Sequence, residues 1–434
     1  MTKRTRTILF LICLFLFLLI APAAVFYSQG YRFDFETKKI TQTGGLFLKI
    51  EPKQVEIYLN GKLEKKTDFF FGSALIENLL PRKYKIEIKK EGYEPWEKNL
   101  EVKEKEVIEV KNIVLIPENP NFSILTENVK EFWFSPDEKK IILSEKTEAG
   151  WALKLYDLER NVKSHLIDDK DVYSKGADLM GLDFSPDSKE IYLNIGVKEQ
   201  DSNPPAALPL VKDERAPKNF ALKLDKLPPV LTERKITPKT EDIVISQVVF
   251  NDENYYLDNS GHLFKNGEKI TEKPFPIKAE TEYKLNIFPE NIFLRENKTL
   301  YLFSSNSKSF EKFFENASLL KISPDNKKLV LISDYEIWIL FLKETTSQPQ
   351  RKAREQLFLV RLSEKIGDCF WLNSDYLIFN AANKIKIAEI DDRDKINIVD
   401  VAEFESPEIF WNQVDKKLYI LSGENLSQSG KLLP

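Results

Sequence analysis

Two histidines, His165 and His262, stand 97 positions apart, and neither has the neighbours that imidazole chemistry requires. A paired-His zinc site, an HExxH helix and a Ser-His-Asp relay each place a second ligand or a hydroxyl at short, recognisable spacing. Both histidines therefore read as ordinary strand or turn residues. Cysteine is as sparse: Cys13 lies inside an apolar run and Cys369 in DCFWL, neither at metal or redox spacing from a partner. A lipidated Cys13 would need a small residue before it and has Ile12, and no disulfide is expected between the two. The glycine patterns GxxxxGK[ST] and GxGxxG do not occur, so nucleotide phosphates find no backbone cradle.

Carboxylates are more suggestive. Asp137, Asp187 and Asp325 recur in one phrase, FSPDEKKIIL, FSPDSKEIYL and ISPDNKKLVL. The phrase invites comparison with the Asp-box of sialidase-type propellers, Ser-x-Asp-x-Gly-x-Thr-Trp, but Lys139, Ile141 and Ile142 stand where that box has Gly, Thr and Trp. These aspartates read as turn residues. Asp168, Asp169 and Asp171, and Asp391, Asp392 and Asp394, offer acidic clusters for calcium, yet neither has the glycine turn and distal glutamate of a dedicated loop, so both read as solvated surface. Trp133, Trp151, Trp338, Trp371 and Trp411 recur along the second half of the chain and are expected to fill space between packed sheets rather than to stack on sugars. No residue is assigned a catalytic, cofactor-binding or metal-ligating role, no cofactor is expected, and the chain reads as non-enzymatic.

The elements that position these residues follow from composition and period. The chain has 434 residues, 42% hydrophobic and 30% charged, which suffices for more than one buried core. Its net charge of -4 supplies no basic field, so nucleic acid is not an expected partner. Lys3, Arg4 and Arg6 precede an uncharged run from Ile8 to Tyr27 that is about one bilayer core long as a helix. The cations keep a stub of residues 1–7 cytoplasmic, residues 8–27 form a transmembrane signal-anchor, and all that follows is extracytoplasmic at the cell membrane. Ala21, Pro22 and Ala23 make a small-residue pattern suited to signal peptidase. The apolar run continues past them through Phe26 and Tyr27, which favours a retained anchor over a cleaved signal.

Residues 28–43 read as a linker. From Leu46 to about Pro117 apolar residues alternate, as Val55, Ile57 and Leu59 do and again Tyr84, Ile86 and Ile88, which specifies strands with one wet face. Asn60-Gly61 marks a tight hairpin because both positions tolerate positive φ. Residues 44–117 are expected to fold as a small β-sandwich. GGLFLKIEP, VEIYLNG and LLPRKYKIEIKKEGYEPW, in that order, resemble the PEGA domain of bacterial envelope proteins. Glu51-Pro52-Lys53-Gln54 replaces the tetrapeptide that names that family, and Lys65-Lys66-Thr67-Asp68 replaces its Gly-x-Thr-Pro. The resemblance implies a surface module without chemistry of its own.

The Ser-Pro-Asp phrase then has a geometric meaning. Proline sets φ for the first corner of a turn and the Ser and Asp side chains bond nearby N–H groups, so each copy joins two strands of a hairpin. Weaker copies between Ile243 and Asn306, and CFWLNSDYLIF and IFWNQVDKKLYIL beyond the third phrase, bring the count to about seven units of roughly 40–50 residues, the period of four-stranded propeller blades. Residues 118–434 are expected to form a seven-bladed β-propeller, so the whole chain is all-β apart from its N-terminal helix. The last unit, ending in a tail strand near Lys431 to Leu433, is one strand short, and FSILTE at 122–127 is expected to supply its outer strand. This array resembles TolB-type propeller repeats, with Glu138, Ser188 and Asn326 in the family's glycine slot. Insertions at 196–218, between second and third strands, and 343–356, between third and fourth, should project from opposite faces as solvated excursions.

The expected function is a non-enzymatic, membrane-anchored scaffold or binding protein of the cell envelope. Its propeller would recognise another envelope protein or a cell-wall polymer. The rival is an envelope hydrolase or lyase using the propeller's central channel, which needs convergent carboxylates from several blades. A signalling role ranks behind both, because seven residues before the span leave little to signal with. The residues set no oligomeric state.

Overall fold

The computed structural model describes residues 3–148, 150–172, 177–197, 218–225, 229–234 and 244–433. Helix α1, Lys3–Ser28, carries the apolar run and is long and apolar enough to cross a membrane. The stretch expected as a linker instead holds a two-stranded hairpin, β1 (Tyr31–Asp34) and β2 (Lys39–Gln42). Its strands are too short to show a period, since only four residues alternate on each side of the turn.

Seven further strands follow: β3 (Gly44–Glu51), β4 (Glu56–Leu59), β5 (Lys62–Lys66), β6 (Ser73–Leu79), β7 (Lys83–Lys90), β8 (Tyr93–Glu101) and β9 (Val107–Val114). They form two sheets, ordered β6-β3-β9 and β5-β4-β7-β8, with β3 and β9 parallel. Alternation places Leu46, Leu48 and Ile50 of one sheet and Ile57, Ile86 and Ile88 of the other in a shared core. Asn60 and Gly61 make the β4–β5 turn at φ of 50° and 78°.

Seven four-stranded antiparallel sheets follow in a ring. Blades 1 to 6 span residues 129–168, 177–233, 244–269, 283–314, 319–361 and 366–403, each a meander in chain order. The first strands of successive blades approach one another, as 244–250 does 283–288 and 366–371 does 408–412, so the first strand of each blade is innermost. Blade 7 is composite. Glu408–Asn412, Lys417–Ser422 and Asn425–Ser429 are completed on the outside by Phe122–Thr126, with Phe122 opposite Ser429 and Ile124 opposite Ser427. The strand expected near Lys431 to Leu433 lies earlier, at Asn425–Ser429. Leu432 is instead fully buried as a plug beside Trp411 and Leu418. Pairing the two ends of the array completes blade 7 and closes the ring, covering the edge that Asn425–Ser429 would otherwise expose.

Of the two insertions, that at 196–218 falls almost wholly outside the described residues. The other, at 343–356, lies between the third and fourth strands of blade 5, as expected, but it is not a solvated excursion. Gln348 accepts a hydrogen bond from the Glu109 N–H (3.1 Å) and donates to the Val107 carbonyl (3.2 Å), laying the loop along β9 of the sandwich.

Candidate functional site

The Ser-Pro-Asp turns are alike at atomic detail. Ser135, Ser185 and Ser323 donate to Asp137, Asp187 and Asp325 at 2.6, 2.7 and 2.5 Å, and each serine oxygen accepts the N–H five residues on. Glu138, Ser188 and Asn326 sit at φ of 56°, 58° and 56°, the left-handed conformation that explains a glycine slot. Two of them also fasten blades together. Ser188 Oγ accepts the Asp137 N–H at 3.1 Å, and Glu138 accepts from Gln413 N of blade 7 while its carbonyl accepts Asn412 Nδ2 (2.8 Å). The turn aspartates are acidified: the Ser185 hydroxyl and the Lys189 N–H hold Asp187 below the usual carboxylate value. At Asp137 burial opposes ionisation, but the Ser135 hydroxyl and Lys139 N–H outweigh it.

Tryptophans occupy the seams between blades. Trp151 donates to the Ala177 carbonyl of blade 2 (2.8 Å) and Trp371 to the Lys321 carbonyl of blade 5 (2.9 Å), while Trp411 is buried in the core shared by blades 6 and 7. His262 is a turn residue whose N–H donates to Asp258 (2.7 Å) and whose ring nitrogen meets the Thr271 hydroxyl (3.1 Å). The Asp168, Asp169 and Asp171 cluster divides. Asp168 and Asp171 come together with His165, their ligand atoms within 4.8 Å of one another, whereas Asp169 turns inward and is buried. The Asp168 N–H donates to Asp171 (2.8 Å), so a local turn accounts for that approach.

The second acidic cluster is not solvated surface. Asp391, Asp392 and Asp394 lie between the third and fourth strands of blade 6 and, with the 343–356 loop, grip the sandwich. Asp394 accepts the Asn99 N–H and side-chain amide at 2.8 and 2.9 Å, Asp392 pairs with Arg351, and Asp391 pairs with Arg393, which also donates to the Glu109 carbonyl (2.8 Å). Burial works against ionisation of Asp391, but the Arg393 guanidinium holds it below its ordinary value.

At the centre of the seam Lys98, with no exposed surface, meets Glu389 at 2.7 Å. Lys98 also donates to the Asp391 and Lys395 carbonyls at 2.7 and 2.8 Å. Glu389 further accepts from Trp96 Nε1 (2.8 Å) and from Asn397. Burial pushes the Glu389 carboxyl up, and these donors offset part of that cost. Beside the pair, Tyr376 Oη accepts the Val114 N–H (3.0 Å). A cavity of about 100 Å³, room for a few waters, lies under the loop between Lys111, Lys328, Arg351, Asp375 and Arg393.

A second convergence lies on the innermost strands. Glu131, Asp368 and Glu408 stand on blades 1, 6 and 7 and Lys321 on blade 5, four neighbours around the ring. Burial raises the Glu408 carboxyl, reinforced by the charges of Asp368 and Glu131. Lys321 lies 3.0 Å from the Phe370 ring centroid, and burial lowers its ammonium to about 8. Phe370 and Phe410 meet at 5.2 Å, and Phe410 stacks on Phe134 at 3.9 Å, so an aromatic arc runs on from the lysine through blades 6, 7 and 1. Neither this group nor the seam was legible in the sequence. Each is drawn from positions far apart in the chain, and the one available signal, a lysine among apolar residues, as Lys98 alternating with Trp96 and Leu100 or Lys321 in LLKI, does not name its partner.

No protein-family model matches the chain, and no curated protein matches it. Solved structures of low similarity include the Cps50 (Swd1) β-propeller domain of Myceliophteria thermophila (11% identity, 72% of this chain and 99% of that one, TM-score 0.38). Others are virginiamycin B lyase from Staphylococcus aureus (12%, 71% and 99%, TM-score 0.38) and YCF48 from Cyanidioschyzon merolae (10%, 71% and 98%, TM-score 0.37). Likeness at this level says nothing of function, and the propeller stands on the strand order itself.

Proposed function

We propose that the chain is a non-enzymatic binding or scaffold protein of the cell envelope: α1 anchors it in the membrane, the sandwich spaces it and the propeller is its recognition head. The observation that carries this reading is the buried Lys98–Glu389 seam, which makes sandwich and propeller one rigid body behind an apolar helix. A flexible tether would leave a propeller free to tumble, whereas a clamped one presents a set face. The cations before the run support an extracytoplasmic head. The resemblance of residues 44–117 to PEGA modules and of 118–434 to TolB-type repeats supports an envelope setting. The loops joining first to second and third to fourth strands share one face of the disc, and the sandwich covers part of it at blades 5 and 6. Among the described residues the sandwich does not reach the opposite face, with the blade-to-blade links, and that is the face offered to another envelope protein or a cell-wall polymer.

Protease treatment of intact and permeabilised cells tests the topology, and photocrosslinking from that face in intact cells tests for a partner. A head digested only after permeabilisation of the inner membrane would refute the orientation. Absence of any crosslinked species would refute the recognition role. The axial group favours one second reading, acid-base chemistry at Glu408 beside Asp368 and Glu131. Turnover of an envelope polymer by the purified protein, abolished by Glu408→Gln, would establish it in place of the first.

A further inference from the structure

The hairpin after α1 has two chemically different faces. In its register Phe33 opposes Ile40, Arg32 opposes Thr41 and Asp34 opposes Lys39, so alternation sorts Tyr31, Phe33 and Ile40 to one side and Arg32, Asp34, Lys39 and Thr41 to the other. The polar side is fastened down. Asp34, 4% exposed, pairs with Arg82 of the sandwich at 3.0 Å, and Arg32 donates to Asn78 at 2.8 Å. Arg32 also donates to the Tyr27 carbonyl at the end of α1 (2.7 Å) and lies over the Tyr27 ring, so the hairpin is tied to helix and sandwich together.

The other side faces out. Phe33 is 48% exposed, Ile40 69% and Phe35, at the turn, 83%, while Lys38 of the same turn is exposed beside them. Phe35 packs edge-on to Phe33 at 5.1 Å, and Tyr31 packs edge-on to Phe26 of α1 at 5.4 Å, so the apolar strip continues without a break from the helix into the hairpin. Aromatic and aliphatic side chains next to a lysine, joined to the end of a membrane-length helix, are the composition that settles at the boundary of headgroups and acyl chains.

We infer that the β1–β2 hairpin is a lipid-contacting foot: Phe33, Phe35 and Ile40 enter the outer interface of the bilayer, Lys38 meets its phosphates, and the Arg82–Asp34 pair passes the resulting orientation to the sandwich. This rests on α1 being a membrane span. The foot makes the anchor a two-point attachment, so the head is held at a set tilt rather than swivelling on one helix.

The test uses the full chain in vesicles of phosphatidylethanolamine and phosphatidylglycerol. An environment-sensitive fluorophore is placed at Phe35→Cys in a Cys13→Ser background, where Cys369 is buried and does not compete. A label at Glu64→Cys, exposed on β5, is the aqueous control. Integration of α1 is scored separately by resistance to alkaline carbonate. The expected result is blue-shifted emission at position 35, quenched several-fold more by lipids spin-labelled near the headgroup than by aqueous iodide, with the reverse at position 64. Iodide quenching at 35 equal to that at 64 in carbonate-resistant protein overturns the foot and leaves the anchor standing. A blue shift that disappears when protein is diluted in lipid assigns the face to a second copy and also overturns it. Extraction by carbonate refutes the anchor and the foot with it.

Discussion

Lys98 is fully buried and Lys321 half-buried, and they make opposite demands on their surroundings. Lys98 has a carboxylate and two carbonyls, so removing either partner of its pair with Glu389 strands a charge in the seam. Lys98→Met and Glu389→Leu are each expected to destabilise by about 3–5 kcal/mol, while the two together recover much of the loss. Thermal and denaturant unfolding of the four proteins checks this as a double-mutant cycle. Lys321 lies over the Phe370 ring, and burial lowers it to about 8 against about 10.4 for a free lysine, an effect the charge of Asp368 only partly opposes. Between those values the unfolded chain binds more protons, so stability attributable to Lys321 rises with pH from about 8 to about 10. Subtracting the pH dependence of a Lys321→Met variant from that of the wild type should leave that upward slope, and a flat difference would contradict the assignment. The acidic residues divide the same way. Asp137, Asp187 and Asp325 behave as turn chemistry dictates because their partners lie within five residues. Asp391, Asp392 and Asp394 differ from solvated surface only through Arg351, Arg393 and Asn99, of which two lie outside their own loop.

Among the elements, the repeated turn is the one whose behaviour in acid can be forecast. Its three carboxyls are held below their ordinary value of about 3.9, so the stability they contribute is present above about pH 4 and lost as pH falls through the lower native values. The Asp137→Asn/Asp187→Asn/Asp325→Asn protein should therefore show a shallower fall in Tm between about pH 4 and 2 than the wild type, as read by circular dichroism. The turns were legible in the sequence because proline, serine and aspartate act on their own backbone. The hairpin at 31–42 was not, since four alternating residues a side look like linker until Arg32 and Arg82 fasten them. The 343–356 loop reads as a solvated excursion for a related reason. Its polar residues are those of an exposed loop, and Gln348 finds its partners on β9, more than 200 positions away.

For the molecule as a whole, closure of the ring by Phe122–Thr126 sets how it unfolds. Ser123→Pro with Ile124→Pro removes two N–H donors from the closing strand and exposes the edge of Asn425–Ser429. A broadened, lower-temperature melt and concentration-dependent association by size-exclusion chromatography are expected. An unchanged, monomeric and cooperative protein would mean that closure contributes little. What the amino-acid order determined unaided is what short-range physics controls: an apolar run of bilayer length, the period-two strands, the Ser-Pro-Asp corners, and from their number a ring whose last blade needed a strand. The tertiary structure alone decided how the modules meet. Trp96 and Glu389 stand 293 positions apart, and a lysine inside a strand carries no record of which carboxylate will neutralise it. That choice is made only when two surfaces, each folded by its own local rules, exclude water from between them and leave every buried charge in need of a partner.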